Sequence, residues 1–231
     1  GQSETVDKIT KSIWFNNRTK NHLVTFEGHF FGRGSFLSRS LSLPKEEFFP
    51  TTRLSHPTEE NQTKIIDQLE NVLSKNQTLA VWIEPIRQKF MDKTSLDFLQ
   101  KLRTICTKYQ TPLVFNETAS SLYRYDKDLF FISEDKSITP DAIMSYMGGQ
   151  IAVAMTREEH FVKQPLMMIS TWDGDEFALG NYHNIFSNIE KNKSAYDKLK
   201  SDFTKKLINL LEKYNTSNIM IENGVGHFSG D

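Results

Sequence analysis

The chain has 231 residues, of which 38% are hydrophobic and 25% charged, and its formal net charge is −1. This balance is typical of a soluble globular protein that is long enough to bury a substantial core. The chain has no surplus of basic residues of the kind that binds the nucleic-acid backbone, so nucleic acid is not an expected partner. No apolar run approaches the roughly 18 residues of a membrane-spanning helix.

The first residues and the cysteine content lead us to expect a cytoplasmic protein. The first ten residues, GQSETVDKIT, lack the apolar segment of a secretory signal peptide. The single cysteine, Cys106, cannot form an internal disulfide and lies in a helical apolar pattern, which predicts a small buried hydrophobe. A reducing compartment fits this cysteine usage.

The first half of the chain alternates between strand and helix patterns. Strands are predicted at His22–Gly28, Leu79–Ile86 and Pro112–Ala119, and helices at Thr58–Lys75 and Ser95–Tyr109. Strand, helix and strand with short connections predict parallel pairing with right-handed crossovers.

The second half continues the pattern. Ile138–Met155 contains two apolar runs around a Gly-Gly pair, which predicts a strand, a tight turn and a second strand. A further buried strand is predicted at Pro165–Trp172, and a helix at Tyr196–Tyr214. No linker or change in composition divides the chain, so we predict one α/β domain over residues 1–231, with three α/β/α layers and a mostly parallel sheet.

Ligands of such sheets bind beyond the carboxyl ends of the strands. The polar residues at the carboxyl ends of predicted strands include Glu84, Asn116 and Thr171, and Ser3 marks the start of the first helix. Ser3 is equally an ordinary helix cap, and Thr171 an ordinary strand-end residue. The six histidines lack the spacing of metal ligands, so no metal site is expected.

Six stretches, taken in chain order, resemble the large domain of class III aminotransferases, the pyridoxal-phosphate enzymes of the ornithine and acetylornithine type. They are GQSETVDKITKSIW, FEGHFFGRG, AVWIEPIRQ, LVFNETASSLYR, ITPDAIMSYMGG and ISTWDGDEFA. The resemblance implies the large-domain fold of the type I pyridoxal-phosphate-dependent transferases. It also implies phosphate contacts at Ser3 and Thr171, an aromatic residue stacked on the coenzyme at Phe30, and a strand-end glutamate at Glu84.

The chain departs from this family at the residues that carry its chemistry. The position of the lysine that forms the Schiff base falls near Met147, and no lysine occurs from residue 137 to residue 162. A thioether cannot condense with an aldehyde. The family's aspartate at the pyridine nitrogen is replaced by Asn116, and a neutral amide stabilises a pyridinium far less than a carboxylate does.

These departures, and the expectation that the family's N-terminal segment and C-terminal small domain are absent, predict a protein that is not an enzyme. The hypothesis is an aminotransferase-like pseudo-enzyme that acts as an interaction or scaffolding subunit of a larger bacterial assembly. In this hypothesis the protein has no catalytic residue and binds no cofactor. The relict positions of the family's cofactor site are Ser3, Phe30, Glu84 and Thr171.

Two alternatives remain: non-covalent binding of pyridoxal phosphate or another phosphorylated small molecule, and a residual transaminase completed by a partner chain. The expected partners are other proteins. The resemblance also allows a homodimer.

Overall fold

A computed structural model describes residues 1–125, 130, 135–148, 151–168, 174–214, 219–222 and 225–228, the last two segments as backbone only. The helices of these residues are α1 (Gln2–Phe15), α2 (Phe36–Ser42), α3 (Gln62–Leu73), α4 (Leu96–Lys108) and α5 (Glu176–Lys213). The strands are β1 (His22–Phe26), β2 (Thr51–Leu54), β3 (Thr78–Ile83), β4 (Leu113–Asn116), β5 (Ala142–Gly148), β6 (Ile151–Thr156), β7 (Ile219–Glu222) and β8 (Val225–Phe228).

Six strands form one sheet in the order β2-β1-β3-β4-β5-β6. The first five pair in parallel, for example Leu23 with Thr51 and Val114 with Ala142, and β6 alone runs antiparallel to β5. Helices α2, α3 and α4 connect β1 to β2, β2 to β3 and β3 to β4, because parallel neighbours need a crossover connection. The carboxyl ends of β1, β3, β4 and β5 therefore meet at one edge, which we call the carboxyl edge.

Helices cover both faces of the sheet. One core joins α3 and α4 to side chains such as Val24, Val81 and Phe115, and the other joins α1 and α2 to side chains such as Leu23, Trp82 and Met144. Successive residues of β1 and β3 thus enter opposite cores, because side chains alternate across a strand. This arrangement confirms the predicted three-layer α/β fold with a mostly parallel sheet. The prediction that residues 1–231 form a single domain stays a prediction.

Most predicted elements are present, with shorter bounds. The helix predicted at Ser95–Tyr109 begins after Ser95, whose hydroxyl accepts a hydrogen bond from the Phe98 amide at 3.2 Å. The two strands predicted within Ile138–Met155 are present as β5 and β6, and residues 149 and 150 of the predicted turn lie outside the described residues. The predicted tail helix is present but begins 20 residues earlier, as α5.

The strand predicted at Pro165–Trp172 is wrong for its first four residues. Residues 165–168 form turns and bends, and Leu166 is 79% exposed with a φ of 64°. The carbonyls of Met167 and Met168 accept hydrogen bonds from Lys11 and Lys8 of α1 instead of from a neighbouring strand. Its last four residues lie outside the described residues.

Cys106 is free and fully buried in α4, where burial raises the pKa of its thiol to about 12. The interpretation of this residue as a small buried hydrophobe is confirmed, since a thiol with this pKa stays protonated and unreactive.

Candidate functional site

The predicted site residues collect at the carboxyl edge. Asn116 is the last residue of β4, and Glu84 directly follows β3. Phe30 lies in the loop after β1, and Met147 is the penultimate residue of β5. Because these strands are parallel neighbours, their ends place the side chains within one region.

Glu84 and Asn116 hold the backbone of Phe30 from two sides. The Phe30 amide donates to Glu84 Oε2 at 2.8 Å, and the Phe30 carbonyl accepts from Asn116 Nδ2 at 2.7 Å. Asn116 Nδ2 also lies 3.3 Å from Glu84 Oε1, which joins the two side chains to each other. We call these three residues the Phe30 clamp. It fixes the position from which the half-buried Phe30 ring projects.

The side chain of Asn116 is hydrogen-bonded to other groups in the protein interior. Its side chain belongs to a fully buried residue, its amide hydrogens point to Phe30 and Glu84, and its Oδ1 accepts a hydrogen bond from the Thr118 amide at 3.0 Å. These contacts fix which way the amide faces. The position that the resemblance gave to the pyridine nitrogen is therefore a structural crosslink in this chain.

Glu84 is a fully buried carboxyl group with an altered pKa. Burial raises its pKa to about 8, although the amides of Phe30 and Gln88 and the charge of Arg87 act in the opposite direction. A group with this pKa retains its proton at neutral pH and loses it in mildly alkaline solution. The clamp thus contains an ionisable group that titrates close to neutrality.

Two histidines extend the clamp toward the surface. His29 Nδ1 accepts a hydrogen bond from the Glu84 amide at 2.9 Å, and His29 Nε2 lies 3.2 Å from His56 Nδ1. Because the first contact uses Nδ1 as an acceptor, Nε2 carries the hydrogen and donates to His56. Burial holds the pKa of His29 well below its ordinary value and lowers that of His56 to about 4, so both rings are neutral at pH 7.

Sequence reasoning did not include this histidine pair in the site. His29 follows the last residue of β1 by three positions, and His56 follows the last residue of the neighbouring strand β2 by two. Both histidines lie just beyond the ends of adjacent strands. Had β2 been predicted, this location could have identified them as site residues.

Ser3 joins the start of α1 to the loop that follows Phe30. Its Oγ accepts hydrogen bonds from the Gly34 amide at 2.8 Å and the Ser38 hydroxyl at 3.0 Å. A side chain at Gly32, whose φ is 96°, would place a Cβ 2.4 Å from Ser3 Oγ, so only glycine fits there. The Ser38 hydroxyl has one hydrogen and also lies 3.0 Å from the Ser35 carbonyl, so Ser3 and Ser38 can exchange the donor and acceptor roles.

Gln2 ties the same helix end to the carboxyl edge. Its side-chain amide lies 3.3 Å from Gln88 Oε1 and 3.5 Å from Thr118 Oγ1. Ser3 and the Phe30 clamp therefore belong to one region of the molecule. Thr171, the other predicted phosphate position, lies outside the described residues.

The position that the resemblance gave to the Schiff-base lysine carries no amine. Met147, at the position that the resemblance gave to the Schiff-base lysine, is 7% exposed and offers a thioether. Along the chain, the nearest lysines to Met147 are Lys136, 11 positions before it, and Lys163, which follows β6. The Ser3 hydroxyl and the Phe30 ring, in contrast, suit a phosphate and an aromatic ring held without a covalent bond.

A second polar cluster lies at the opposite, amino edge of the sheet. Asp141 accepts hydrogen bonds from the Leu113 amide at 2.8 Å and from Arg103 Nη1 at 2.7 Å. Potential ligand atoms of Asp141, Glu159 and His160 lie within 4.8 Å of one another. Arg157 Nε is 3.5 Å from the same aspartate, so the cluster already contains two cations. Its geometry is that of an ion-pair network.

Among the described residues, no helix is long and apolar enough to cross a membrane. The longest, α5, has 38 residues, and many charged side chains occur in its sequence from Glu190 onward.

Comparison with known proteins gives relatives of one kind. No protein-family model matches the chain. The chain is 26% identical over 183 residues to a succinylornithine transaminase from Photorhabdus laumondii, an alignment that covers 75% of this chain and 44% of the relative. It is 26% identical over 171 residues to ornithine aminotransferase 1 from Staphylococcus saprophyticus, covering 70% of this chain and 42% of that protein. The chain thus spans less than half the length of these relatives.

Solved structures agree on the fold. A transaminase from the marine bacterium Virgibacillus matches 96% of this chain with a TM-score of 0.76 at 16% identity, and the match covers 56% of that structure. The ornithine aminotransferase from Toxoplasma gondii, in a structure described as having partial occupancy of pyridoxal phosphate at its active site, also matches 96% of this chain. Its TM-score is 0.73 at 16% identity, and 56% of that structure is covered.

These comparisons overturn the prediction that the chain is not an enzyme. Both of the curated relatives described above carry the name of a transaminase or an aminotransferase. The prediction rested on the departures at Met147 and Asn116 and on the expected absence of the family's terminal segments. The homologues and structural neighbours of this chain are class III pyridoxal-phosphate aminotransferases.

Proposed function

We propose that this chain is the sheet domain of an aminotransferase-type protein that holds pyridoxal phosphate, or a closely related phosphorylated ligand, without a covalent bond to lysine. The observation that carries the proposal is the Phe30 clamp, which holds an aromatic residue at the carboxyl edge, where Gln2 also ties down the start of α1 next to Ser3. Residues 137–162, which include β5, contain no lysine.

Each residue has a separate task in this proposal. The Ser3 hydroxyl, which also accepts from the Gly34 amide, donates its hydrogen to a phosphate oxygen, and the adjoining first turn of α1 supplies backbone N–H groups. The ring of Phe30 packs against the ligand ring, and Glu84 with Asn116 keeps that ring in place. Pyridoxal phosphate, when bound, would supply an aldehyde that condenses with an amino group of a substrate.

A ligand pair separates this mode of binding from attachment to lysine. Pyridoxine phosphate has the ring and phosphate of pyridoxal phosphate but carries an alcohol in place of the aldehyde, so it cannot form an imine. Titration followed by calorimetry should give dissociation constants for the two ligands within about threefold of each other, since a threefold ratio is only about 0.6 kcal/mol. Borohydride reduction followed by intact mass analysis should show no site-specific adduct.

Two variants locate the site. Phe30→Ala should weaken both ligands at least tenfold, because it removes the ring that the clamp positions. Phe161→Ala removes an exposed aromatic side chain of 61% exposure beyond the far end of β6, and it should leave both constants unchanged. Strong preference for the aldehyde, together with a reduced adduct on one lysine, would contradict the proposal.

A second function is supported by α5. None of its 38 residues is buried, and several large apolar side chains are exposed: Phe177, Leu179, Tyr196, Leu199, Phe203, Ile208 and Leu210. An apolar surface of this extent marks an interaction site. We infer that the chain also binds another protein through this helix, as the interaction subunit suggested by its sequence.

Replacement of Leu199 and Phe203 together by serine tests this second function. The variant should bind less of an apolar-surface probe such as anilinonaphthalene sulfonate than the unchanged chain, with the same circular-dichroism spectrum. Lys198→Ser with Lys205→Ser on the opposite side of α5 is the matched control, and it should not change probe binding. Equal probe binding by all three proteins would remove the second function.

A further inference from the structure

The apolar surface of α5 has a period that identifies the kind of segment it fits. Five side chains recur at intervals of seven residues, and we call them the α5 stripe: Tyr182, Ile189, Tyr196, Phe203 and Leu210. A seven-residue apolar repeat forms a seam that drifts by roughly 20° per repeat around a helix, and it packs against a second helix whose side chains enter the gaps between turns.

The C-terminal half of the stripe is the open half. Tyr196, Phe203 and Leu210 are 44%, 55% and 49% exposed, whereas Tyr182 and Ile189 are half-buried. On the side that faces the domain, Lys200 donates to the Tyr125 carbonyl at 2.6 Å and Lys193 lies 5.0 Å from the Tyr123 ring centre. These contacts fix the rotation of α5 about its axis and leave the stripe available.

The charges around the open half have one dominant sign. Residues 191–213 contain seven lysines and three acidic residues. Lys206 and Lys213 each follow a stripe residue, Phe203 and Leu210, by three positions, so they stand beside the stripe on adjacent turns. A partner with lysines at the matching positions would be repelled, and one with carboxylates would be attracted.

We propose that the α5 stripe binds an amphipathic helix of another protein whose apolar seam is flanked by glutamate or aspartate. This inference rests on the second function proposed above and adds the chemistry of the partner. The seven-residue period indicates that the partner segment is a helix. The positions of Lys206 and Lys213 indicate that acidic residues lie beside the apolar seam of that helix.

Two synthetic peptides of about 28 residues test the proposal. Both carry leucine at the first and fourth positions of each heptad, and they differ only in having glutamate or lysine at the flanking positions. Fluorescence anisotropy at low and moderate salt should show that the glutamate peptide binds the chain at least tenfold more tightly than the lysine peptide. The difference should shrink as salt rises.

A charge exchange gives the sharper result. Lys206→Glu with Lys213→Glu should invert the preference, so that the lysine peptide binds more tightly. Lys198→Glu with Lys205→Glu makes the same charge change on the opposite side of α5 and should leave the preference unchanged. All four positions are exposed, and circular dichroism would verify that each variant keeps its helix content.

The outcomes separate the two ideas. Equal binding of both peptides by the unchanged chain would overturn the acidic partner and leave the interaction function standing. Failure of both peptides to bind would overturn both. Inversion of the preference by the Lys198 and Lys205 variant would show that the stripe is not the binding surface and would also overturn the proposal.

Discussion

The side-chain amide of Asn116 lies 2.7 Å from the carbonyl oxygen of Phe30, across 86 residues of sequence. This hydrogen bond connects the end of β4 to the loop after β1, two strands that are not neighbours in the sheet. Glu84, at the end of the intervening strand β3, contacts both residues. The carboxyl edge is thus closed by one network that spans three strand ends.

Replacing Asn116 with leucine should destabilise the protein by about 2–4 kcal/mol. The substitution keeps the side-chain volume but leaves the Phe30 carbonyl and a Glu84 oxygen without this donor in a buried region, and each unpaired group costs about 1–3 kcal/mol. Urea unfolding at pH 7 measures the loss. Asn71→Leu on the exposed side of α3 is the control, with an expected change of about 0.5 kcal/mol or less. Equal effects would show that the clamp contributes little.

Glu84 should make the protein less stable as pH rises. Its pKa in the folded protein is about 8, above the ordinary value of 4.5, so its contribution is complete below pH 4.5 and is lost between about pH 4.5 and pH 8. Glu84→Gln removes this titration. The free energy of unfolding of the variant, relative to that of the unchanged chain, should increase by as much as about 1.4 kcal/mol per pH unit over that interval. A difference that does not vary with pH would contradict the raised pKa.

The histidine pair should act in the opposite direction. Burial lowers the pKa of His56 from 6.5 to about 4 and that of His29 well below 6.5, so stability that is present above pH 6.5 is lost as pH falls toward 4. His56→Asn should flatten this acid loss. His183→Asn, at an exposed position of α5, should leave it unchanged. Unfolding midpoints measured between pH 4 and pH 7 check both variants.

Met147→Lys should convert reversible binding into covalent attachment. The lysine would stand near the end of β5, at the position given by the resemblance, and its amine would meet the aldehyde of a bound pyridoxal phosphate. Borohydride reduction and peptide mapping should then identify an adduct at residue 147. Tyr146→Lys places the same group one residue earlier and on the other side of the strand, and it should not be modified at that residue.

The sequence contained enough information for the sheet and much less for the site. The continuous apolar run at Leu79–Ile86 predicts a strand that is buried on both faces, and β3 has this burial at every residue. Short elements such as β2 were missed because its four residues, TTRL, have no apolar run and gain their order from pairing with β1. Local pattern cannot supply a pairing that depends on a neighbouring strand.

The roles of the site residues depend on contacts between distant parts of the chain, and the spacing of residues along the sequence does not predict such contacts. Asn116 and Glu84 were correctly placed at strand ends, but their shared attachment to Phe30 depends on the path of the loop after β1. The first residues of the predicted strand at Pro165–Trp172 show the same limit. Their apolar character is clear, yet lysines of α1 bind their carbonyls and the segment turns.

Helix α1 touches both edges of the sheet. Its first residues contact Gln88 and Thr118 at the carboxyl edge, and near its other end Asn16 and Ser12 donate to the carbonyls of Glu159 and His160 at the amino edge. A helix of 14 residues is a rigid rod of about 21 Å. A ligand that displaced the start of this rod would therefore also displace the backbone beside the Asp141 ion pairs, so that occupancy at one edge could be detected by a spectroscopic label at the other.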